Sequence, residues 1–298
     1  MKHEKFHISQ VLSIIKVSIY SDITNRLIDK MQESGALIWF KPWRSVAPVN
    51  GASNRKYSGI NKLILSTSGF ADPRWFTYRQ CSDLGGYVKK GEKGLPIVFW
   101  KASDEEERLL GKPKFISRTF FVFNSEQCIG LNLPEIATPT FNADALKAID
   151  KLILGFGDAP PIKWGAEQAY YSPKLDVVAI PHKLAFVSSE ACFATLAHEL
   201  SHATGHSSRL NRTSITEPIS FGSEVYSQEE LLSEISAAFL CGEFGIQNTI
   251  TQSAAYVQGW LSALKNDPTM IVKAACQAQK SADWILGRSS EQSVEEAA

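Results

Sequence analysis

Three side chains in the stretch LAHELSHATGH, residues 196–206, have the types and the spacing to hold and use a metal ion. His198 and His202 stand four apart, so a helix puts both imidazoles on one face, within reach of a single ion. Glu199 sits beside them, where it can take a proton from a water that the metal acidifies, without being a ligand itself. Zinc brings the pKa of such a water toward neutrality. Two histidines on a solvated helix face would be the structural alternative. It fits poorly, because Leu196, Ala197, Leu200 and Ala203 make the helix largely apolar, and polar groups without partners are costly there. Four of the six histidines fall between His182 and His206. The five cysteines are dispersed with no Cys-x-x-Cys spacing, which argues against a thiolate zinc site and suits reduced thiols in a cytoplasm.

A third protein ligand is needed. A metzincin-type histidine would stand at position 208, which is Ser208; His206 comes two residues early, and no methionine follows closely. The alternative is a glutamate from a second helix. The stretch YSQEELLSEISAAFLCGEFG, 226–245, is amphipathic through Leu231, Leu232, Ile235, Ala238 and Phe239. It resembles the second metal helix of gluzincin-like peptidases, where the ligand glutamate is followed three and four residues later by a small residue and an acid. Glu230, Ser233 and Glu234 fit that frame. The resemblance implies Glu230 as ligand and Glu234 as acceptor for a metal-bound imidazole. A shift of one residue would make Glu229 the ligand instead.

The elements that must position these groups are legible nearby. Ser188 or Ser189 can cap a helix over 189–204, with Glu190 in its first turn and Gly205 at its end. Upstream, AYYS and VVAI flank PKLD as a hairpin. In zincin-like folds such a strand runs beside the active-site helix and can pair with an extended peptide. His182 and Phe186 read as packing residues.

The formal net charge is zero, but the halves differ. Residues 1–135 carry 20 Lys+Arg against 13 Asp+Glu, and residues 136–298 carry 11 against 18. The basic half is the candidate for a polyanionic partner. Between Trp39 and Lys101, 11 basic residues meet three acids and are interleaved with 11 aromatics. Cations meet phosphates, and exposed rings stack the unpaired bases of a single strand, which a duplex hides. Ile15, Ile19, Ile23, Leu27 and Met31 mark an amphipathic helix within 8–34. Gly85, Gly86, Gly91 and Gly94 predict tight turns, with Lys89, Lys90 and Lys93 at a hairpin tip before the strand LPIVFW, and FISRTFFVFNSEQC, 115–128, reads as the last strand of this half. Two prolines in LNLPEIATPTFNADA place the boundary: a first domain over 1–135, a linker over 136–142 and a second domain over 143–298. No apolar run approaches the roughly 18 residues of a membrane span, and MKHEKFHISQ is too polar for a signal peptide.

IWFKPWR, PVN, NRKYSGIN, PRWFTYRQ, GGYVKKGEKG and FFVFNSEQC occur in the order seen in the N-terminal domain of ArdC-type antirestriction proteins and plasmid TraC-type primases. TGHSSRLNR after the histidine helix is similar to the C-terminal domain of the same family. The resemblance implies an α+β protein of two domains: a basic α+β nucleic-acid-binding domain, then a zincin-like metallopeptidase domain of gluzincin type. It implies single-stranded DNA as partner, with motif positions at Lys41, Trp43, Asn50, Arg55, Tyr57, Asn61, Trp75, Gln80, Lys89, Lys90 and Lys93. Of these, Lys41, Trp43, Arg55, Tyr57 and the three lysines are the expected DNA contacts. The expected function is protection of incoming plasmid DNA from host restriction in the cytoplasm, through a metal-dependent peptidase acting on a host protein. One divalent ion is expected, zinc or else manganese, with no nucleotide cofactor and no membrane. The competing reading is a non-enzymatic protein that coats single strands and keeps its metal for structure, which would leave Glu199 without a task. A two-metal nuclease would want clustered oxygen ligands rather than His-Glu-His.

Overall fold

The computed structural model describes residues 20–32, 47–102, 115–134, 144–218, 220, 223–246 and 254–288. The linker 136–142, Lys41 and Trp43 lie outside them. The architecture is α+β in two domains.

In the first domain, α1 is helical over 20–32, and Ile23, Leu27 and Met31 form its buried stripe, as their four-residue spacing requires. Then follow β1 (Val49–Asn50), α2 (Gly59–Ser66), β2 (Arg74–Thr77), α3 (Tyr78–Asp83), β3 (Tyr87–Val88), β4 (Leu95–Ala102), β5 (Phe115–Asn124) and β6 (Cys128–Ile129). The main sheet has the order β1-β2-β5-β4, with β1 parallel to β2 and the other pairs antiparallel. Trp75 and Phe76, on opposite faces of β2, are both buried, so both faces are covered there. Gly59 starts α2 at φ +52°, a conformation that favours glycine.

Two expectations need correction. The lysine turn is not the tip of a hairpin leading into β4: β3 pairs antiparallel with β6, in register Tyr87↔Ile129 and Val88↔Cys128. Nor does the strand run unbroken from 115 to 128. It stops at Asn124, whose side chain accepts from the Glu126 amide while the Gln127 side chain accepts from the Asn124 amide. That reciprocal cap opens a 3-10 turn over Ser125–Gln127 and turns the chain toward β3.

The second domain runs α4 (Ala145–Gly155), β7 (Ile162–Trp164), β8 (Tyr170–Ser172), β9 (Val177–Ile180), α5 (Ser189–Ala203), α6 (Thr213–Thr216), α7 (Glu224–Glu243), α8 (Ala254–Asn266) and α9 (Met270–Ile285). Its sheet has the order β7-β9-β8, with β8 and β9 forming the antiparallel hairpin. β8 is an edge strand and packs against α5. α7 is not amphipathic over its centre. Every residue from Leu231 to Cys241 is buried, because α5 and α9 pack on it from different sides. Small residues line that seam, where the hydroxyls of Ser201, Ser236, Ser281 and Thr204 link the three helices at 2.9–3.1 Å.

The domains share one apolar core that runs from α1 and α2 into α5, α7 and α9. Polar contacts cross the junction as well. The Thr24 hydroxyl donates to the Pro268 carbonyl at 2.7 Å, and the Gly59 amide donates to the Gln279 side chain. No helix among the described residues is long and apolar enough to cross a membrane.

Candidate functional site

α5 begins at Ser188, whose hydroxyl accepts from the Ala191 amide at 3.1 Å, and it carries His198, Glu199 and His202 along its last two turns. α7 crosses it and contributes Glu229, Glu230, Ser233 and Glu234. His198, His202 and Glu230 converge, each offering one donor atom to a common point. The two Nε2 atoms are 3.0 Å apart. Glu230 lies 3.5 Å from each of them, through one carboxylate oxygen to His198 and the other to His202. Donors bound to one tetrahedral ion at about 2.0 Å stand roughly 3.3 Å from each other, so the spacing suits a metal.

The far side of each ring decides which nitrogen is available. His202 Nδ1 lies 3.0 Å from the Ser233 hydroxyl and 3.3 Å from a Glu229 oxygen. A proton shared with Glu229 leaves Nε2 as the free lone pair, the tautomer a metal ligand needs. His198 Nδ1 is buried and faces Glu234 at 3.6 Å, a charge contact longer than a hydrogen bond. Glu199 is only 8% exposed, and its charge acts on His198.

The electrostatics are lopsided. Four glutamates gather around two imidazoles. Burial opposes a charge on His198, yet Glu234, then Glu230 and Glu199, outweigh it and raise the imidazole to about 9. Burial, with Glu230 and Glu199 adding to it, pushes Glu234 up to about 7 against the pull of the two histidines. Burial also works to raise Glu230, but the imidazoles and Tyr226 hold its carboxyl below the usual range. The excess of negative charge calls for a cation. The donor set of two nitrogens and one carboxylate is of zinc type.

Glu229 has a different task. Its carboxylate takes a two-pronged ion pair from Arg212, at 2.6 and 3.0 Å, and a hydrogen bond from Ser214. Burial would raise it, but His202 and Arg212 bring it down to about 2. Arg212 also donates to the Ser201 carbonyl at 2.8 Å and to the Thr204 hydroxyl at 2.7 Å, so it closes the C-terminal end of α5. Gly205 permits this approach. A Cβ there would lie 2.5 Å from Ile215 and 2.9 Å from the Arg212 guanidinium. Glycine is required for space, since the residue is not among the positive-φ positions that a glycine cap implies. Arg212 is the functional residue that sequence reasoning passes over, although it stands in TGHSSRLNR; its partner lies 17 residues away. His206 is outside the cluster, with Ser208 and Asp176. His182 caps the 3-10 turn Lys183–Ala185, and Phe186 packs on the core.

In the first domain, several motif positions hold the fold. Trp75 is core, edge-on to Phe70. Asn50 closes a turn by accepting from the amides of Ala52 and Ser53, and Gln80 completes the N-terminal cap of α3 with Thr77. Asn61 pairs its side chain with the amide and the carbonyl of Val98 on the edge of β4. Arg55 is exposed and Tyr57 half-buried at the mouth of one cavity. Lys89, Lys90 and Lys93 are exposed on their turn, with Lys89 donating to the Glu126 carbonyl. Tyr78, Tyr87, Phe120 and Phe121 stay 65%, 57%, 43% and 56% exposed.

Residues 17–123 match the family of the N-terminal domain of anti-restriction factor ArdC, and residues 149–277 match a zincin-like metallopeptidase family. Crystal structures of the antirestriction protein ArdC from plasmid R388 superpose with a TM-score of 0.73, both metal-free and Mn(II)-bound. They are 37% and 36% identical to this chain, covering 93% and 94% of it and 97% and 98% of theirs. Two Escherichia coli DNA primases called TraC are 37% and 35% identical over 91% of this chain, which spans only 27% and 20% of their length.

Proposed function

Because the chain belongs to the ArdC family of antirestriction proteins, we propose that it binds single-stranded DNA entering a cell and protects that DNA from restriction through a metal-dependent peptidase site. The domains we assign to these tasks are 1–135 and 143–298, joined by 136–142. The observation that carries the reading is the convergence of His198, His202 and Glu230 with Glu199 beside them. These three residues would hold one divalent ion. When bound, that ion polarises a carbonyl and acidifies a water. Mn(II) is the metal in the relative's structure, and the N,N,O donor set also suits zinc.

Each of the chain's own groups has a part. Glu199 receives a proton from the attacking water and returns it to the leaving amine. Glu234 and the Arg212–Glu229 pair fix the two imidazoles from behind. The free edge of β8 beside α5 offers backbone groups to an extended peptide. The DNA half rests on rings left exposed next to cations, which suits unpaired bases. The peptide substrate would be a host protein, and the setting is the cytoplasm.

The test has two parts. Metal content by mass spectrometry, on untagged protein, should give about one ion per chain in the wild type and in Glu199→Gln. His198→Ala and Glu230→Ala should lose it, while Glu229→Ala, which removes the partner of His202 but no ligand, should still load it with weaker affinity. Transfer of an unmodified plasmid into a restricting host should then fail with Glu199→Gln. If Glu199→Gln protects as well as wild type, the enzymatic reading is wrong, and coating of the strand with a structural metal takes its place.

A further inference from the structure

A cavity of about 250 Å³ opens on the first domain between the 50–58 loop and the sheet. It is smaller than the sites that hold drug-sized ligands, which start near roughly 300 Å³, and suits one planar ring system. Tyr57 forms one wall. Ile97, Phe99 and Phe120, on one face of β4 and β5, form the other. Phe99 and Phe120 meet edge to face with centroids 6.4 Å apart, and Phe120 remains 43% exposed. Asn61, bound to both backbone groups of Val98, fixes the strand that carries Ile97 and Phe99.

The polar features of the cavity point to the same kind of occupant. The Tyr57 hydroxyl is buried with no well-formed hydrogen bond, though it lies at the wall of an open cavity. Burial pushes its pKa up to about 12, with Asn50 acting in the opposite sense, so it stays a neutral donor. Asn50, Ser53 and Thr77 add uncharged polar groups. Among the described residues no carboxylate lines the cavity, whereas Arg55 and Lys56 stand at its rim. Arg118 pairs across from Phe99 in the sheet and is exposed on the same face. An aromatic wall, uncharged hydrogen-bonding groups and rim cations match a heteroaromatic ring attached to phosphates.

We propose that this cavity takes one unstacked nucleobase of a bound single strand against Phe99 and Phe120, while Arg55 and Arg118 meet the flanking phosphates. The inference rests on the single-stranded-DNA reading above and adds the place and the mode. It separates two surfaces of the domain. The exposed rings Tyr78 and Phe121 offer sequence-tolerant stacking, and the cavity holds one base by its edge as well as its face.

The test compares two labelled strands of equal length by fluorescence anisotropy on the full chain: oligothymidylate, and the same backbone built of abasic sites. Wild type should prefer the strand with bases. Phe120→Ala should lose affinity for it roughly 5- to 150-fold, the range that removal of a base-stacking ring spans, and should bind the abasic strand as wild type does. Phe120→Leu, which keeps the apolar contacts of the wall but not the ring, should show the same loss and separates it from misfolding. Arg55→Ala should weaken both strands and flatten the salt dependence by about 0.7 in log–log slope. Equal wild-type affinity for the two strands, or an equal loss on both with Phe120→Ala and Phe120→Leu, overturns base capture and leaves single-strand binding intact. No binding of either strand by wild type overturns both.

Discussion

Glu229 and Glu230 are neighbours in the chain, yet their side chains leave α7 about 100° apart, and that rotation gives them different chemistry. Glu230 turns to the imidazoles and Glu229 to Arg212. The motif frame ranks Glu230 first but leaves a one-residue shift open, because spacing along one helix cannot show which face meets another. The His-Glu-His triplet is legible for the opposite reason, since its members share a helix and their geometry is local. Arg212 is illegible because it acts on a residue of a different element. It is 8% exposed, and its guanidinium is paired with the buried Glu229 carboxylate. Removing one partner of such a buried pair costs about 3–5 kcal/mol. Arg212→Ala should therefore lower unfolding free energy by that order in urea titrations with chelator present, and weaken metal affinity about 10- to 100-fold in competition with a chelator. Arg212→Lys should recover little, since an ammonium cannot bridge both oxygens of Glu229 in the same plane. A wild-type urea midpoint in Arg212→Ala would show that the pair is dispensable.

α5 and α7 are read from sequence to within two residues at each end, from periodicity and from Ser188 as cap. Their surroundings are not. α7 reads as amphipathic because Ser233, Glu234 and Ser236 are polar, but those residues are buried, the first two against the histidines of α5 and the third in the hydroxyl seam with α5 and α9. The lysine turn and the end of β5 mislead for a related reason. Strand pairing is non-local, and nothing in residues 83–100 announces β6 as the partner of β3. Gly205 offers the sharpest test at this level. As a helix cap it should tolerate alanine at a modest cost; as a packing contact it should not. With Cβ placed 2.5 Å from Ile215 and 2.9 Å from Arg212, Gly205→Ala must push one of them away. Overpacking of this kind costs about 1–3 kcal/mol. Gly205→Ala should thus lower the melting temperature of the metal-free protein, and the loss should shrink in an Arg212→Ala background, where the guanidinium is gone. Simple additivity of the two substitutions would place the clash on Ile215 and not on the guanidinium.

The charge split between the halves is resolved at their junction, where Glu243 near the end of α7 gathers cations from both domains. Arg288 reaches it at 2.8 Å, Lys56 at 3.5 Å and Lys62 at 3.8 Å. Lys56 lines the cavity of the first domain, and the helix it touches carries Glu230 toward its other end, so a shared rigid element joins the two sites. Lys62 is 7% exposed and lies over the Phe239 ring. Burial lowers its pKa, Glu243 opposes this, and the balance leaves it at about 8 against 10.5 for a free lysine. The unfolded chain holds that proton up to the higher value and the folded chain releases it near the lower one. Folding is therefore penalised below about pH 8, by an order of 3 kcal/mol, and the penalty fades as pH rises toward about 10.5. Lys62→Met removes the titrating group and keeps an unbranched apolar chain beside Phe239. The stability advantage of the variant over wild type should be larger near pH 7 than near pH 10 by about 2.5 kcal/mol, measured as the difference between urea unfolding free energies at the two pH values. Parallel curves for the two proteins would mean that Lys62 keeps its proton in the fold, with the Glu243 pairing outweighing burial. A diverging pair would identify Lys62 as a buried cation kept at the junction at a cost in stability.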